Sequence, residues 1–171
     1  LGLRIDRHEA EARAAHRDPP PLGMQGPPAP ADLYRSYYGA DADAVTKTLV
    51  AALLRLDADL GVPGLGAHLA LSRVLRPADA SERFLAAWSP MPGKRWIGNP
   101  DLDHERHRQL AAGVTYASGP WRVAVRGFRD DVADWIMRDT AQGQDGVRLA
   151  DGASIYRNVD ATLWGGEADW S

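Results

Sequence analysis

The sequence contains no cysteine. This absence excludes disulfide bonds, thiolate nucleophiles, and zinc or iron–sulfur sites with cysteine ligands. The His-Glu-x-x-His and Gly-x-Ser-x-Gly motifs are also absent, and Gly61, Gly64 and Gly66 have neither dinucleotide nor Walker A spacing. No stretch approaches the ~20 apolar residues of a membrane-spanning helix. We therefore expect a soluble protein with no membrane span, no cofactor and no bound metal.

The chain has little excess charge of either sign. It has 20 basic and 23 acidic residues, a net charge of −3, and 44% hydrophobic residues. These values are ordinary for a soluble globular protein and too mild to indicate a polyanionic partner. No signal peptide is visible, but the chain begins at Leu1 rather than Met. A leader could have been removed, so the sequence leaves the localisation open.

Tryptophan and proline are distributed unequally along the chain. All six tryptophans lie in the second half, while residues 18–31 are rich in proline, which favours extended backbone. We expect three parts: a polar helix and proline-rich arm over residues 1–31, one globular domain over 32–161, and a tryptophan-containing tail over 162–171.

The first two-thirds of the chain is predicted to be mainly helical. Residues 6–17 are interpreted as a short polar helix. The main helix is predicted over 43–60, with Asp43 as its N-cap, Gly61 at its end, and an apolar arc that includes Leu53. Val50 and Leu54 fall outside that arc, which indicates a second packing partner. Further helices are predicted at about 66–76, at 80–89 with Asp79 and Glu82 in capping-box spacing, from Asn99 to Gly113, and after Asp130 or Asp131.

Two β-hairpins are predicted in the C-terminal part. Alternating residues flank Ser118-Gly119-Pro120 over 114–125, and a second pair of segments flanks Asp151-Gly152. The predicted fold class is therefore α+β, with a helical N-terminal two-thirds, a small antiparallel hairpin-containing C-terminal part and an extended proline-rich N-terminal segment.

Four residues are weak candidates for catalysis. Asp103, His104 and His107 lie three or four residues apart, so on a helix they could converge, but a solvated charged face explains them better. His68 borders an apolar arc, and it is better explained as a packed histidine than as a base, because only Ser72 is near it.

Aromatic residues beside charges suggest two kinds of binding. Arg122 and Arg126 near Trp121 could form a nucleic-acid patch, but the acidic residues that follow offset it, so nucleic acid is not expected. Trp164 and Trp170 lie among acidic residues and could stack on a carbohydrate or anchor the tail on a protein.

These features favour a non-catalytic structural or interaction subunit of a larger assembly. Its partners would be other protein subunits, in a homo- or hetero-oligomer. The predicted interface residues are Tyr34, Tyr37, Tyr38, Val50, Leu54, Trp164 and Trp170. A small enzyme with a His/Asp site assembled from distant residues, or a carbohydrate- or small-ligand-binding module, is the alternative. An apolar pocket with convergent His and Asp would favour the enzyme.

Overall fold

Long β-strands dominate the structure. A computed structural model describes residues 1–17, 26–41 and 44–171. The strands are β1 (Gly2–Ala10), β2 (Val45–Asp59), β3 (Leu65–Arg76), β4 (Ala86–Ala87), β5 (Trp96–Ile97), β6 (Glu105–Ser118), β7 (Trp121–Thr140) and β8 (Ser154–Trp170). Two short helices, α1 (Pro30–Tyr37) and α2 (Ala80–Phe84), and a 3-10 turn (Pro92–Lys94) lie between them.

The strands form one sheet in the order β1-β2-β3-β6-β7-β8-β5-β4. The six long strands pair antiparallel with their neighbours, and the short β5 pairs parallel with the start of β8. A β-bulge interrupts the β7–β8 register between Val132 and Trp135, where Asp134 adopts a φ of 60°. The result is a wide antiparallel sheet rather than a small hairpin.

The two ends of the sheet differ. At one end, which we call the tight-turn end, β2–β3 and β6–β7 are joined by residues 60–64 and 119–120, and Gly61, Gly64 and Gly119 have the positive φ values that such turns require. At the other, the long-connection end, residues 11–44, 77–104 and 141–153 join the strands and carry both helices, β4 and β5.

Most of the buried core lies at the long-connection end. Tyr34, Tyr37, Ile97, Ala153 and Ile155 belong to one buried cluster, and Ala78, Leu102 and Ile136 belong to a second. In the described part of the chain, no helix is long and apolar enough to cross a membrane.

The prediction of a mainly helical N-terminal two-thirds is wrong. The segments predicted as helices over 43–60 and 66–76 lie largely in β2 and β3, and residues 6–10 of the 6–17 segment lie in β1. The helices predicted after Asn99 and Asp130 lie largely in β6 and β7. In β2 the apolar residues are nearly continuous, so they fit a period of 3.6 as well as a period of 2. Antiparallel pairing on both sides decides in favour of the strand.

Other predicted details have mixed outcomes. The capping box of Asp79 and Glu82 is confirmed at α2, and the hairpin around Gly119 is confirmed as β6–β7. The hairpin around Asp151-Gly152 is not formed, because residues 147–150 are irregular and β8 begins at Ser154. Residues 18–25 of the predicted arm and the predicted cap Asp43 lie outside the described residues.

Candidate functional site

One face of the sheet is apolar and exposed. Strand pairing places alternate residues of six strands on this apolar face. The apolar residues among them are Leu3 and Ile5 in β1, Val50, Ala52, Leu54 and Leu56 in β2, Leu65, Ala67, Leu69 and Leu71 in β3, Leu110, Ala112, Val114 and Tyr116 in β6, Trp121, Val123 and Val125 in β7, and Trp164, Ala168 and Trp170 in β8. Leu56 is 54% exposed and Trp164 is 82% exposed. A continuous apolar surface of this kind marks contact with a membrane or a partner.

Aromatic side chains mark the tight-turn end of the apolar face. Trp121 and Trp170 stack with ring centroids 5.9 Å apart, and Tyr116 lies across from Val123, the residue that pairs with Trp170. The amphipathic rings of Trp and Tyr suit a boundary between apolar and aqueous surroundings.

The opposite face of the sheet carries most of the charged and polar residues of the long strands. This polar face includes Lys47, Arg55 and Asp57 in β2, His68, Ser72 and Arg76 in β3, Glu105, His107, Gln109 and Thr115 in β6, Arg122, Arg126 and Asp130 in β7, and Glu167 and Asp169 in β8. Leu53, Val74, Phe128 and Leu163 are exposed apolar exceptions. Each long strand therefore alternates between an apolar and a polar face.

A buried charge network lies on the polar face toward the long-connection end. His107 contacts Asp130 through Nδ1 at 2.8 Å and Glu105 through Nε2 at 3.1 Å. Glu105 also accepts hydrogen bonds from Arg76 at 2.6 Å and from the backbone N–H of Ile136 at 2.9 Å. Glu105 and Asp130 are almost fully buried. Because each carboxylate has a partner, the network joins β3, β6 and β7 rather than offering a free acid or base.

The long connections are packed together by tyrosines. Tyr37 donates a hydrogen bond to Asp151 at 2.6 Å, and Arg95 contacts the same carboxylate at 3.2 Å. Burial, together with the hydrogen bond to Asp151, raises the pKa of Tyr37 to about 12. Tyr34 donates to the carbonyl of Phe84, and Tyr38 donates to that of Ile97. These bonds tie α1 to both of the other long connections.

The structure separates the predicted catalytic residues. His107 lies in the buried charge network. Asp103 and His104 precede β6, and neither side chain is hydrogen-bonded to that network. His68 lies on the polar face beside Asp57 and Gly113. Within residues 1–17, 26–41 and 44–171, no cluster of three or more His, Asp or Glu side chains could hold a metal ion.

Glu105 and Asp130 were missed by the sequence reasoning. The sequence predicts Asp130 or Asp131 as a helix cap, although Asp130 is the cross-strand partner of Gln109 and thereby lies diagonal to His107. The signal that could have located it is the alternation of β7, which places Asp130 on the polar face.

The predicted interface residues fall in two places. Tyr34 and Tyr37 are buried and Tyr38 is half-buried, so they hold the long connections together. Val50, Leu54, Trp164 and Trp170 lie exposed on the apolar face.

Comparison with known proteins identifies the family. Residues 1–171 match the family described as TonB dependent receptor-like, beta-barrel, and the chain belongs to it. No curated protein matches the sequence.

Solved structures of similar fold agree with this assignment. They include the copper transporter OprC (23% identity over 75% of this chain, TM-score 0.57) and the hemophore receptor HasR of Serratia marcescens, solved with its hemophore HasA and heme (15% over 99%, TM-score 0.58). The siderophore receptor PirA from Pseudomonas aeruginosa is a third (16% over 73%, TM-score 0.55). The chain spans 18%, 26% and 27% of the lengths of these three proteins, respectively.

The family assignment corrects three expectations. The chain is not a soluble α+β subunit of an assembly, and neither the small enzyme nor the carbohydrate- or small-ligand-binding module fits a TonB-dependent receptor β-barrel. The expectation of a soluble protein with no membrane span is also wrong, because this is a family of membrane β-barrels. Val50 and Leu54, for which a second packing partner is predicted, lie exposed on the apolar face.

Proposed function

We propose that this chain forms part of the wall of an outer-membrane β-barrel that takes up a ligand. Its apolar face contacts lipid and its polar face lines the interior. The alternation of the two faces along every long strand carries this proposal, because transmembrane β-strands alternate apolar-out and polar-in. Trp121 and Trp170 then belong to an aromatic girdle at one membrane boundary.

The length of the apolar face fits a bilayer. In β2 it runs from Val50 to Leu60, just past the strand's end, which is about 33 Å at ~3.3 Å per residue. At the ~35–45° tilt of barrel strands this corresponds to about 25 Å, the height of the apolar band of such barrels.

The edges of the sheet support closure with further strands. In the described residues, β1 pairs only with β2, and β8 pairs on its second side only at Ser154 and Ile155. Unpaired backbone groups cannot remain exposed to lipid, so both edges pair with other strands of a complete barrel.

Orientation and substrate class complete the proposal. Outer-membrane barrels have short periplasmic turns and longer extracellular loops, which puts the long-connection end outside the cell. The similar structures are a copper transporter, a hemophore receptor with heme and a siderophore receptor, and these names support a metal or metal complex as the ligand.

Two adjacent substitutions in β3 test the arrangement in the full-length protein. Leu69 lies on the apolar face and Ala70 on the polar face. Leu69→Arg places a charge in lipid and is expected to destabilise the folded barrel by roughly 2–4 kcal/mol, whereas Ala70→Arg is expected to cost far less. The measurement is urea unfolding of the protein refolded into phosphatidylcholine vesicles. Equal losses for both variants would contradict the assignment of the faces.

A further inference from the structure

A cleft on the apolar face is lined by arginines, although this face is otherwise the most apolar surface of the molecule. Arg73, Arg106 and Arg108 line a cleft of about 410 Å³ between β3, β6, β7 and β8, toward the long-connection end. We propose that this cleft binds the phosphate group of a membrane lipid. The inference rests on the proposed function, since it requires the apolar face to contact lipid.

The positions of the arginines favour the binding of an anion. Arg73 and Arg108 are direct cross-strand partners, and like charges at such positions repel each other. Among the described residues, neither of the two is in an ion pair, whereas Arg106 is held by Asp134 at 2.5 Å. A phosphate group between Arg73 and Arg108 would relieve the repulsion, because guanidinium groups bind phosphate oxygens in pairs.

The two acidic residues in the cleft are already engaged. Asp131 accepts from Arg129 at 2.9 Å and from Thr162 at 2.9 Å, and Asp160 accepts from the backbone N–H of Asp134 at 3.2 Å. Arg129 thus offsets the acid that lies across from Arg108. The donors of Arg73 and Arg108 remain available to a ligand.

The position of the cleft selects a lipid headgroup as the source of the phosphate. The cleft opens on the apolar face directly beside Leu71 and Leu110. These two leucines are cross-strand partners, and their pair is next to the Arg73–Arg108 pair on the same face. A lipid bound here keeps its acyl chains on these leucines while its phosphate reaches the arginines, and long basic side chains favour such membrane boundaries. At the tight-turn end the apolar face carries Tyr116, Trp121 and Trp170 instead. Recognition is therefore confined to the leaflet at the long-connection end.

A lipid-binding experiment on the full-length protein tests the proposal. Delipidated protein in neutral detergent is titrated with phosphatidic acid, with diacylglycerol of the same acyl chains and with inorganic phosphate, and bound lipid is counted by native mass spectrometry. We expect phosphatidic acid to bind and diacylglycerol not to bind. Arg73→Gln/Arg108→Gln should weaken phosphatidic acid binding at least roughly tenfold, the scale of losing charge-assisted hydrogen bonds.

The matched control is Lys47→Gln/Arg122→Gln, which removes the same charge from the polar face. Retained binding in this control supports the site, while an equal loss in both double variants means non-specific charge attraction and overturns it. Inorganic phosphate that binds as tightly as phosphatidic acid would overturn the lipid assignment. Refolding into phosphatidylcholine vesicles is scored separately: a protein that inserts but does not bind phosphatidic acid refutes this inference alone, and a protein that does not insert refutes the proposed function as well.

Discussion

The guanidinium group of Arg83 shows how a single residue organises a long connection. Arg83 is almost fully buried and donates to the carbonyl oxygens of Pro100 and Leu102, each at 2.6 Å. Burial lowers its pKa, against the opposing charges of Asp103 and Asp101. The side chain closes the segment between α2 and β6 by satisfying backbone oxygens that no strand partner reaches.

Replacing this arginine should loosen the connection. Arg83→Leu leaves two buried carbonyl oxygens without donors, and we expect a loss of roughly 1–3 kcal/mol in unfolding free energy. The measurement is urea unfolding of the refolded protein. Arg17→Leu, which removes an exposed arginine, is the control and should change stability little. If both variants behave alike, the carbonyl contacts of Arg83 contribute nothing to stability.

Tyr37 gives the long connections a dependence on alkaline pH. Its pKa rises from 10.0 to about 12 through burial and the hydrogen bond to Asp151. A raised pKa means that folding favours the neutral phenol, so this stabilisation is complete below pH 10 and is lost as the pH rises toward about 12. We expect unfolding free energy to fall over this window, and less steeply in Tyr37→Phe. Tyrosinate absorbance and urea unfolding measure both effects; an identical pH slope in Tyr37→Phe would contradict the assignment.

At the scale of single elements, β3 and β6 approach closely where Gly113 faces His68. A Cβ added at Gly113 would overlap the His68 ring and lie 2.9 Å from the backbone oxygen of Val125. The glycine therefore makes room for the imidazole on the polar face.

A double-mutant cycle tests this contact. Gly113→Ala should destabilise the protein by roughly 1–3 kcal/mol through overpacking, and His68→Ala alone should cost little. Combining them should recover part of the loss, because the ring that the new methyl group meets is gone; the contact with Val125 prevents full recovery. Purely additive effects in urea unfolding would show that His68 does not depend on Gly113.

Local signals in the sequence predicted some elements correctly. Gly119-Pro120 gave the β6–β7 hairpin and Asp79 with Glu82 gave the capping box of α2, because a few adjacent residues determine these features. β2 could not be assigned in the same way. Its leucines lie on both faces of the sheet: Leu54 and Leu56 are on the apolar face, while Leu53 is on the polar face. The apolar run is therefore nearly continuous, and a run of this length fits a buried helix equally well.

The buried charge network of the candidate site was harder to predict, because the register between strands brings its residues together. His107 meets Asp130 at a separation of 23 residues and Glu105 at a separation of two. A helical interpretation instead groups His107 with Asp103 and His104. The pairing of β6 with β7 places Asp130 beside His107, and this contact cannot be found without the strand register.

For the molecule as a whole, the two faces and the two ends define separate surroundings. The apolar face is exposed while the packed core lies among the long connections, which is the reverse of a soluble domain with its core inside the sheet. A composition of 44% hydrophobic residues does not reveal this, because it counts apolar residues without saying which way they face.

The arrangement predicts which end of the molecule is reached from outside the cell. Because residues 1–171 contain no cysteine, a single cysteine introduced at either end is the only one in this part of the protein that a maleimide can label. Asp145 is exposed in a long connection, and Ser118 is exposed beside the tight turn of β6–β7. We expect a large, membrane-impermeant maleimide to label Asp145→Cys on intact cells, and to label Ser118→Cys only after the outer membrane is permeabilised. This follows because extracellular loops of outer-membrane barrels are long and periplasmic turns are short. Labelling of both sites in denaturant controls for reactivity, and the reverse pattern on intact cells would invert the orientation and move the arginine-lined cleft to the periplasmic leaflet.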